Sequence, residues 1–233
     1  MLLTGGSGLL GSQLQKLSPD MLAPSRAELD ITDRHAVSAY FASQNPDVVI
    51  HAAAVTNNRH IEDSPSEALE VNIKGTANIA LACLQQKTRL VYLSTDYIYK
   101  GDKGNYSEKD EIEPFNLYAW TKLGGESSVM AVPDHLIIRT SFGAGEFEYD
   151  AAFTDKWTSK DYVDLIAPQV LEAARSPLTG LLNIGSERRS MYEYARIRNP
   201  GVKATTIGDS THKSPADTSL NLARWTRYRG GNK

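Results

Sequence analysis

The chain runs to 233 residues, of which 41% are hydrophobic and 23% charged, with a formal net charge of −3 at pH 7. That length supports one substantial core with at most a small lobe leaning on it, and the composition excludes a disordered or fibrous chain. The charge balance lacks the basic excess that gripping a nucleic-acid backbone requires, so no nucleic-acid partner is expected.

Met1-Leu2-Leu3 runs straight into glycines, with no basic stretch ahead of an apolar run of secretory length, and nothing downstream approaches a membrane span. Cys83 stands alone, so no internal disulfide forms, and no cluster of Cys and His has metal-ligand spacing. A cytoplasmic protein with no membrane partner and no metal is expected.

The first motif is TGGSGLLG, Thr4 to Gly11, with glycines at 5, 8 and 11. At a strand-to-helix junction such glycines let the backbone turn tightly and let a pyrophosphate approach the helix N-terminus, where amide hydrogens favour negative charge. On its own the same turn also serves merely to pack a helix on a strand. Only Met1 to Thr4 precede it, so the first strand is short, as though residues were missing from its start.

SRAELDITD follows where a second strand should end. An acid at that place suits the ribose hydroxyls of NADH, whereas arginine suits a ribose 2′-phosphate. Arg26 therefore favours NADPH, with NADH as the alternative, against the bland reading of a solvated loop charge. Asp30 and Ile31 would then lie beside the adenine.

Thr32 or Asp33 caps a helix through residues 34–44, and DVVIHAAA (47–54) reads as a buried strand. Ser64-Pro65-Ser66-Glu67 opens a helix that runs to residue 86. RLVYLST (89–95) is the next strand, placing Ser94, Thr95 and Asp96 at its carboxyl end, the edge where open parallel sheets bind ligands. In LYAWTK, Tyr118 and Lys122 are four apart at helical spacing; a charged ammonium there would lower the phenol's pKa and ready it to pass a proton.

HLIIRTS (135–141) is a further strand, after which residues 143–157 read as loop. A helix over 158–174, a strand over 180–186 and a capping box at Ser190-Met191-Tyr192-Glu193 follow. The tail from Asn199 has no assignment. Strands alternating with helices of this length imply right-handed crossovers and a parallel sheet covered on both faces.

In their order, TGGSGLLGSQL, ELDITD, PDVVIHAAAVT, VNIKGT, STDYIY, PFNLYAWTKLGGE and IIRTSF resemble the extended short-chain dehydrogenase/reductase family. Within it they are similar to the dTDP-4-dehydrorhamnose reductase-like group of sugar-nucleotide 4-ketoreductases. The resemblance implies an α/β fold: a Rossmann-type doubly wound parallel sheet with a small, shortened C-terminal substrate lobe. Residues 1–142 would form the NAD(P)-binding domain, with strand 180–186 rejoining its sheet, and 143–233 the lobe.

The same resemblance implies a catalytic trio of Thr95, Tyr118 and Lys122. It implies cofactor contacts from Gly5, Ser7, Gly8, Leu9, Leu10 and Gly11, from Ser25, Arg26, Asp30 and Ile31, and from Ala52, Ala53, Ala54 and Thr56. Asn72 would join the cofactor set while bracing the strand ends, Ser94 would join it as well, and Tyr118 and Lys122 would serve it too. Thr95, Asp96, Phe142 and Trp157 would face a nucleotide-sugar substrate. Phe142 stands where the family carries tryptophan, and Trp157 also reads as a packing anchor.

Thr95-Asp96-Tyr97 resembles the ketoreductases rather than the 4,6-dehydratases, which have Thr-Asp-Glu there. The implied reaction is NADPH-dependent reduction of the C4 ketone of a nucleotide-linked 4-keto-6-deoxy sugar. The alternatives are an NADP-binding regulatory subunit similar to the methionine adenosyltransferase β-subunit, and a sugar-nucleotide epimerase. A homodimer is compatible with either class.

Overall fold

The structure is a computed structural model and describes residues 1–210 and 213–231. Five parallel strands form its central sheet, in the order β1-β2-β3-β4-β9: β1 (Leu2–Thr4), β2 (Val48–His51), β3 (Arg89–Thr95), β4 (His135–Thr140) and β9 (Gly180–Asn183). On the far side of β1, Leu22 adds a single parallel bridge, with Leu3 N donating to Leu22 O at 2.7 Å. The chain thus winds first one way from β1 and then the other, which opens a crevice between the carboxyl ends of β1 and β2.

Side chains alternate across a strand, so a sheet covered on both faces needs apolar residues at every position. Leu3, Ile50, Val91, Leu93 and Ile138 face one core, against α1 (Leu9–Leu17) and the long helix Val163–Arg175. Their neighbours Leu2, Val49, Leu90, Tyr92 and Ile137 face the other, against α2 (Arg34–Gln44).

Local chemistry sets the helix ends. Of the two capping residues the sequence offers, Asp33 caps α2, accepting from the amides of His35 and Ala36 at 2.8 and 3.2 Å, while Thr32 bonds Asp30. Asn57 caps α3 (Asn58–Asp63). The helix expected from 65 to 86 is continuous but not uniform: α4 (Pro65–Ala68) passes through a π-helical stretch, Leu69–Gly75, into α5 (Thr76–Gln86). The wider turn of a π segment re-aims its side chains, here including Asn72. Asn116 caps α6 (Leu117–Val129), which carries Tyr118 and Lys122.

Beneath α6 lies a buried ion pair. Arg139 of β4, 1% exposed, donates through Nε and Nη2 to both carboxylate oxygens of Glu126, at 3.1 and 2.8 Å, and through Nη1 to the Tyr99 hydroxyl at 2.8 Å. One guanidinium thereby ties strand, helix and the loop after β3 together.

The chain after β4 departs from its sequence reading. The helix expected from residue 158 starts later, as α7 (Val163–Arg175), and the residues before it are extended. β7 (Trp157–Thr158) pairs with β10 (Arg189–Ser190), and β8 (Asp161–Tyr162) with β5 (Phe142–Gly143). The expected loop holds β6 (Ala151–Phe153), paired with β11 (Lys203–Thr205) from the unassigned tail. Thr, Ser, Asp and Tyr are weak helix formers, so strands contributed from elsewhere decide the outcome. The predicted capping box is present: Ser190 and Glu193 bond reciprocally at the start of α8 (Met191–Arg196). A last helix, α9 (Ala223–Gly231), closes the chain.

Candidate active site

The glycine turn fits a close-packed crevice. Gly5 adopts φ +79°, and a Cβ there would lie 2.6 Å from Ala53 N; on Gly11 it would lie 2.1 Å from Gly5 O. Gly8 precedes α1 without a side-chain cap, so no side chain of its own competes for the helix's first amides. A cavity of about 260 Å³ opens there, lined by Gly5, Ser7, Gly8, Arg26, Asp30 and Ile31, with Ala52, Ala53 and Ala54 opposite.

Arg26 is exposed and only loosely paired, 3.7 Å from Glu67. Asp30 accepts from the backbone and hydroxyl of Thr32 at 2.9 and 2.8 Å, which holds its carboxyl below the usual range. Ser25 lies outside this wall, exposed, with its amide and hydroxyl both given to Glu28 at 2.8 Å.

A second cavity, about 410 Å³, shares Gly5, Gly8, Ala52 and Ala54 with the first. It gathers Leu9, Leu10 and Gly11 from the start of α1, Thr56 from beyond β2, Ser94 and Thr95 from the end of β3 with Asp96 just after it, Tyr118 and Lys122 from α6, and Phe142. The predicted trio therefore meets on one wall, continuous with the glycine turn. Ser94 Oγ and Thr140 Oγ1, both at this edge, are buried without a hydrogen-bond partner. A pocket with a glycine floor, free helix amides and two unspent hydroxyls fits a dinucleotide.

The electrostatics overturn one expectation. Burial pushes the Tyr118 phenol up, and the charge on Asp96 pushes it further. Lys122 does not counter this, because burial pulls its own amine down to about 7 and its Nζ sits 4.2 Å from the centre of the Tyr92 ring. A half-charged ammonium over another ring cannot favour the phenolate as a full one would.

Asp96 is 2% exposed, and burial raises its carboxyl; the Thr218 hydroxyl, donating at 2.7 Å, and Lys160 and Lys156 oppose that rise. Thr95 Oγ1 accepts from Tyr97 N at 3.2 Å and donates to Asp96 Oδ1 at a long 3.3 Å, a bond weak enough to be exchanged for a ligand.

Asn72 stands behind the site rather than on its wall. Its amide donates to Val55 O and Thr121 Oγ1, both at 2.9 Å, and its oxygen accepts from Val55 N at 2.8 Å. It braces the β2 end against α6 and has no group left for a cofactor. Trp157 packs on a neighbour: the Arg188 guanidinium covers its ring at 3.9 Å, and Arg188 is held in turn by Asp217. Lys156, just before β7, lines a cavity whose lining does not include Trp157.

Sequence reasoning passed over Thr218, Lys156 and Lys160. Thr218 lies 122 positions from Asp96, and no local pattern joins them. The lysines carried a signal only if 156–160 was extended, and the helix reading hid it. Among the described residues, no group of three His, Cys, Asp or Glu is arranged to hold a metal ion.

A family model described as RmlD substrate binding domain matches residues 1–174. The chain is 35% identical over 179 residues to a dTDP-4-dehydrorhamnose reductase of Aggregatibacter actinomycetemcomitans, an alignment that covers 73% of this chain and only 61% of that protein. It is 30% identical over 219 residues to a dTDP-4-keto-6-deoxy-D-glucose reductase of Streptomyces niveus, covering 84% of this chain and 76% of the relative. A crystal structure of dTDP-4-dehydrorhamnose reductase from Bacillus anthracis in complex with NADP superposes with a TM-score of 0.87 at 25% identity, over 98% of this chain and 92% of that one.

Proposed function

This chain belongs to the RmlD substrate binding domain family, and from that premise we propose that it reduces the C4 ketone of a nucleotide-linked 4-keto-6-deoxy sugar with NADPH. The observation that carries this reading is the meeting of Thr95, Tyr118 and Lys122 on one cavity wall that continues into the glycine turn. Arg26 at the mouth of the first cavity supports NADPH over NADH.

The reduced nicotinamide, when bound, supplies the hydride. Thr95 gives up its long bond to Asp96 and donates to the ketone oxygen. Tyr118 passes its proton to that oxygen as negative charge gathers there; a phenol held up by burial stays protonated until the charge appears. Lys122, once charged by an anionic neighbour, holds the ribose and steadies the phenolate left behind. Asp96, clasped by Thr218, faces the sugar, and Phe142 closes that side.

The same reading divides the chain into a dinucleotide-binding part, residues 1–142 with the strand that begins at Gly180, and a substrate lobe from 143–233. A cytoplasmic setting is supported by the lone thiol, Cys83, which is buried. A homodimer is supported by exposed apolar groups on two packed helices, Leu81 and Leu84 of α5 and Trp120 of α6.

The test is a panel of nucleotide-linked keto sugars run with NADPH and NADH in parallel. Turnover with NADPH is expected, and Tyr118→Phe should lower it at least a hundredfold while leaving NADPH binding intact. Tyr118→Phe with full turnover sinks the mechanism. Binding of NADPH with no turnover across the panel turns the reading to a regulatory subunit.

A further inference from the structure

The segment 215–222 returns from the far end of the chain to lie between the loop after β3 and the strands before α7. Its backbone is pinned on both sides: Asp217 N donates to Gly101 O at 2.8 Å, Thr218 N to Trp157 O at 3.1 Å, and Leu220 N to Ser159 Oγ at 3.0 Å. Two close approaches seat it. A Cβ on Gly101 would lie 2.3 Å from Pro215 Cβ, and one on Gly104 would lie 2.2 Å from Asp217 Oδ2. Thr218, 1% exposed, is therefore fixed in place, and its hydroxyl reaches across to Asp96.

Asp96 divides its carboxylate between two threonines. Oδ2 accepts from Thr218 at 2.7 Å, the length of a strong charge-assisted bond, whereas Oδ1 accepts from Thr95 at 3.3 Å. Thr95 is the threonine that shares a cavity wall with Tyr118 and Lys122. Burial raises the Asp96 carboxyl, and the Thr218 hydroxyl is the foremost group opposing that rise, ahead of Lys160, Lys156 and Thr95. The lysines act on Asp96 through charge, the threonines through hydrogen bonds. Tyr97 and Tyr118 also face it, and burial, then the charge on Asp96, keeps both phenols protonated. A buried carboxylate needs donors, so what one threonine withholds is drawn from the other.

We propose that Thr218 is a positioning residue for the reduction: by claiming one oxygen of Asp96 it leaves the Thr95 hydroxyl free to turn to the substrate ketone. This deepens the reductase reading and rests on it. Without the Thr218 hydroxyl, a charged Asp96 takes Thr95 as its chief donor, and the proton that should meet the ketone oxygen stays on the carboxylate side. A protonated Asp96 has no such demand.

Kinetics of Thr218→Val and Thr218→Ser with a keto sugar nucleotide and NADPH, across the neutral and mildly acid range, test this role. Thr218→Val should lower kcat roughly tenfold or more near neutrality, the scale of one charge-assisted bond, with KM and NADPH affinity held. The deficit against wild type should narrow as pH falls, because losing a donor raises the Asp96 carboxyl further and its neutral form no longer draws on Thr95. Thr218→Ser should recover most of kcat. In carbon-13 spectra of aspartate-labelled protein without substrate, the Asp96 carboxyl, assigned through Asp96→Asn, should titrate at higher pH in Thr218→Val than in wild type. Thr218→Ala, which removes the hydroxyl without adding a methyl beside the carboxylate, serves in its place if the valine variant does not fold. Unchanged kcat, a deficit that does not vary with pH, or a serine variant as slow as the valine one overturns the proposal. A displaced Asp96 titration with no turnover by wild type upholds the clasp and sinks the reductase reading; an unmoved titration overturns the clasp itself.

Discussion

Thr4 Oγ1 lies 2.6 Å from His51 Nδ1, joining the residue before the glycine turn to the last residue of β2. The bond begins a buried chain. His51 Nε2 meets Thr76 Oγ1 at 2.9 Å, Thr76 donates to Asn72 O at 2.7 Å, Asn72 donates to Thr121 at 2.9 Å, and Thr121 donates to Tyr118 O at 2.7 Å. Because Thr76 spends its proton on Asn72, His51 must donate from Nε2 and accept at Nδ1. Burial, with Lys122 adding to it, pulls His51 down to about 3, so this neutral form persists through the physiological range.

Replacing His51 therefore tests the chain from either side. His51→Leu should cost about 2 kcal/mol, since it strands the buried Thr4 hydroxyl and takes from Thr76 the donor it accepts from. His51→Asn, whose oxygen can still accept from Thr4, should recover part of the loss. Urea denaturation of the two variants reads the difference; equal stabilities would mean the chain has no energetic weight.

Lys122 makes stability depend on pH in a stated direction. An unfolded lysine holds its proton to about 10.5, whereas the buried one releases it near 7. Between those values the unfolded chain binds more protons, so the Lys122 contribution stabilises the fold as pH rises. Urea midpoints for wild type and Lys122→Met, taken from pH 7 to 10, should converge or cross upward for wild type. A pH-independent gap would show that the folded Lys122 keeps its proton throughout that range.

Gly11→Ala places a methyl against Gly5 O, where the structure leaves 2.1 Å. The turn must open, so NADPH affinity should fall at least tenfold, by fluorescence titration. Unchanged affinity would detach the glycine turn from dinucleotide binding.

The Arg139–Glu126 pair should be unforgiving of half-removal. Arg139→Met leaves a buried carboxylate unpaired and should cost about 3–5 kcal/mol, while Arg139→Met with Glu126→Leu should cost clearly less. Thermal unfolding of the single and double variants checks the order.

Much of the site was legible because its signals are local. Glycines three apart at a strand end, a tyrosine and lysine one helical turn apart, and apolar runs of strand length each state a backbone geometry that few neighbours can override. The order of those signals along the chain then fixed the parallel α/β arrangement and brought Thr95, Tyr118 and Lys122 to one sheet edge. What the sequence could not supply was the set of contacts and charges among residues far apart in it. Thr218 on Asp96, Arg188 over Trp157 and the extended course of 157–162 come from long-range pairing, which outweighs weak local preference. The phenol and the amine were likewise decided in three dimensions. How far a pKa moves depends on how much water the folded chain removes, and spacing on a helix carries no measure of that.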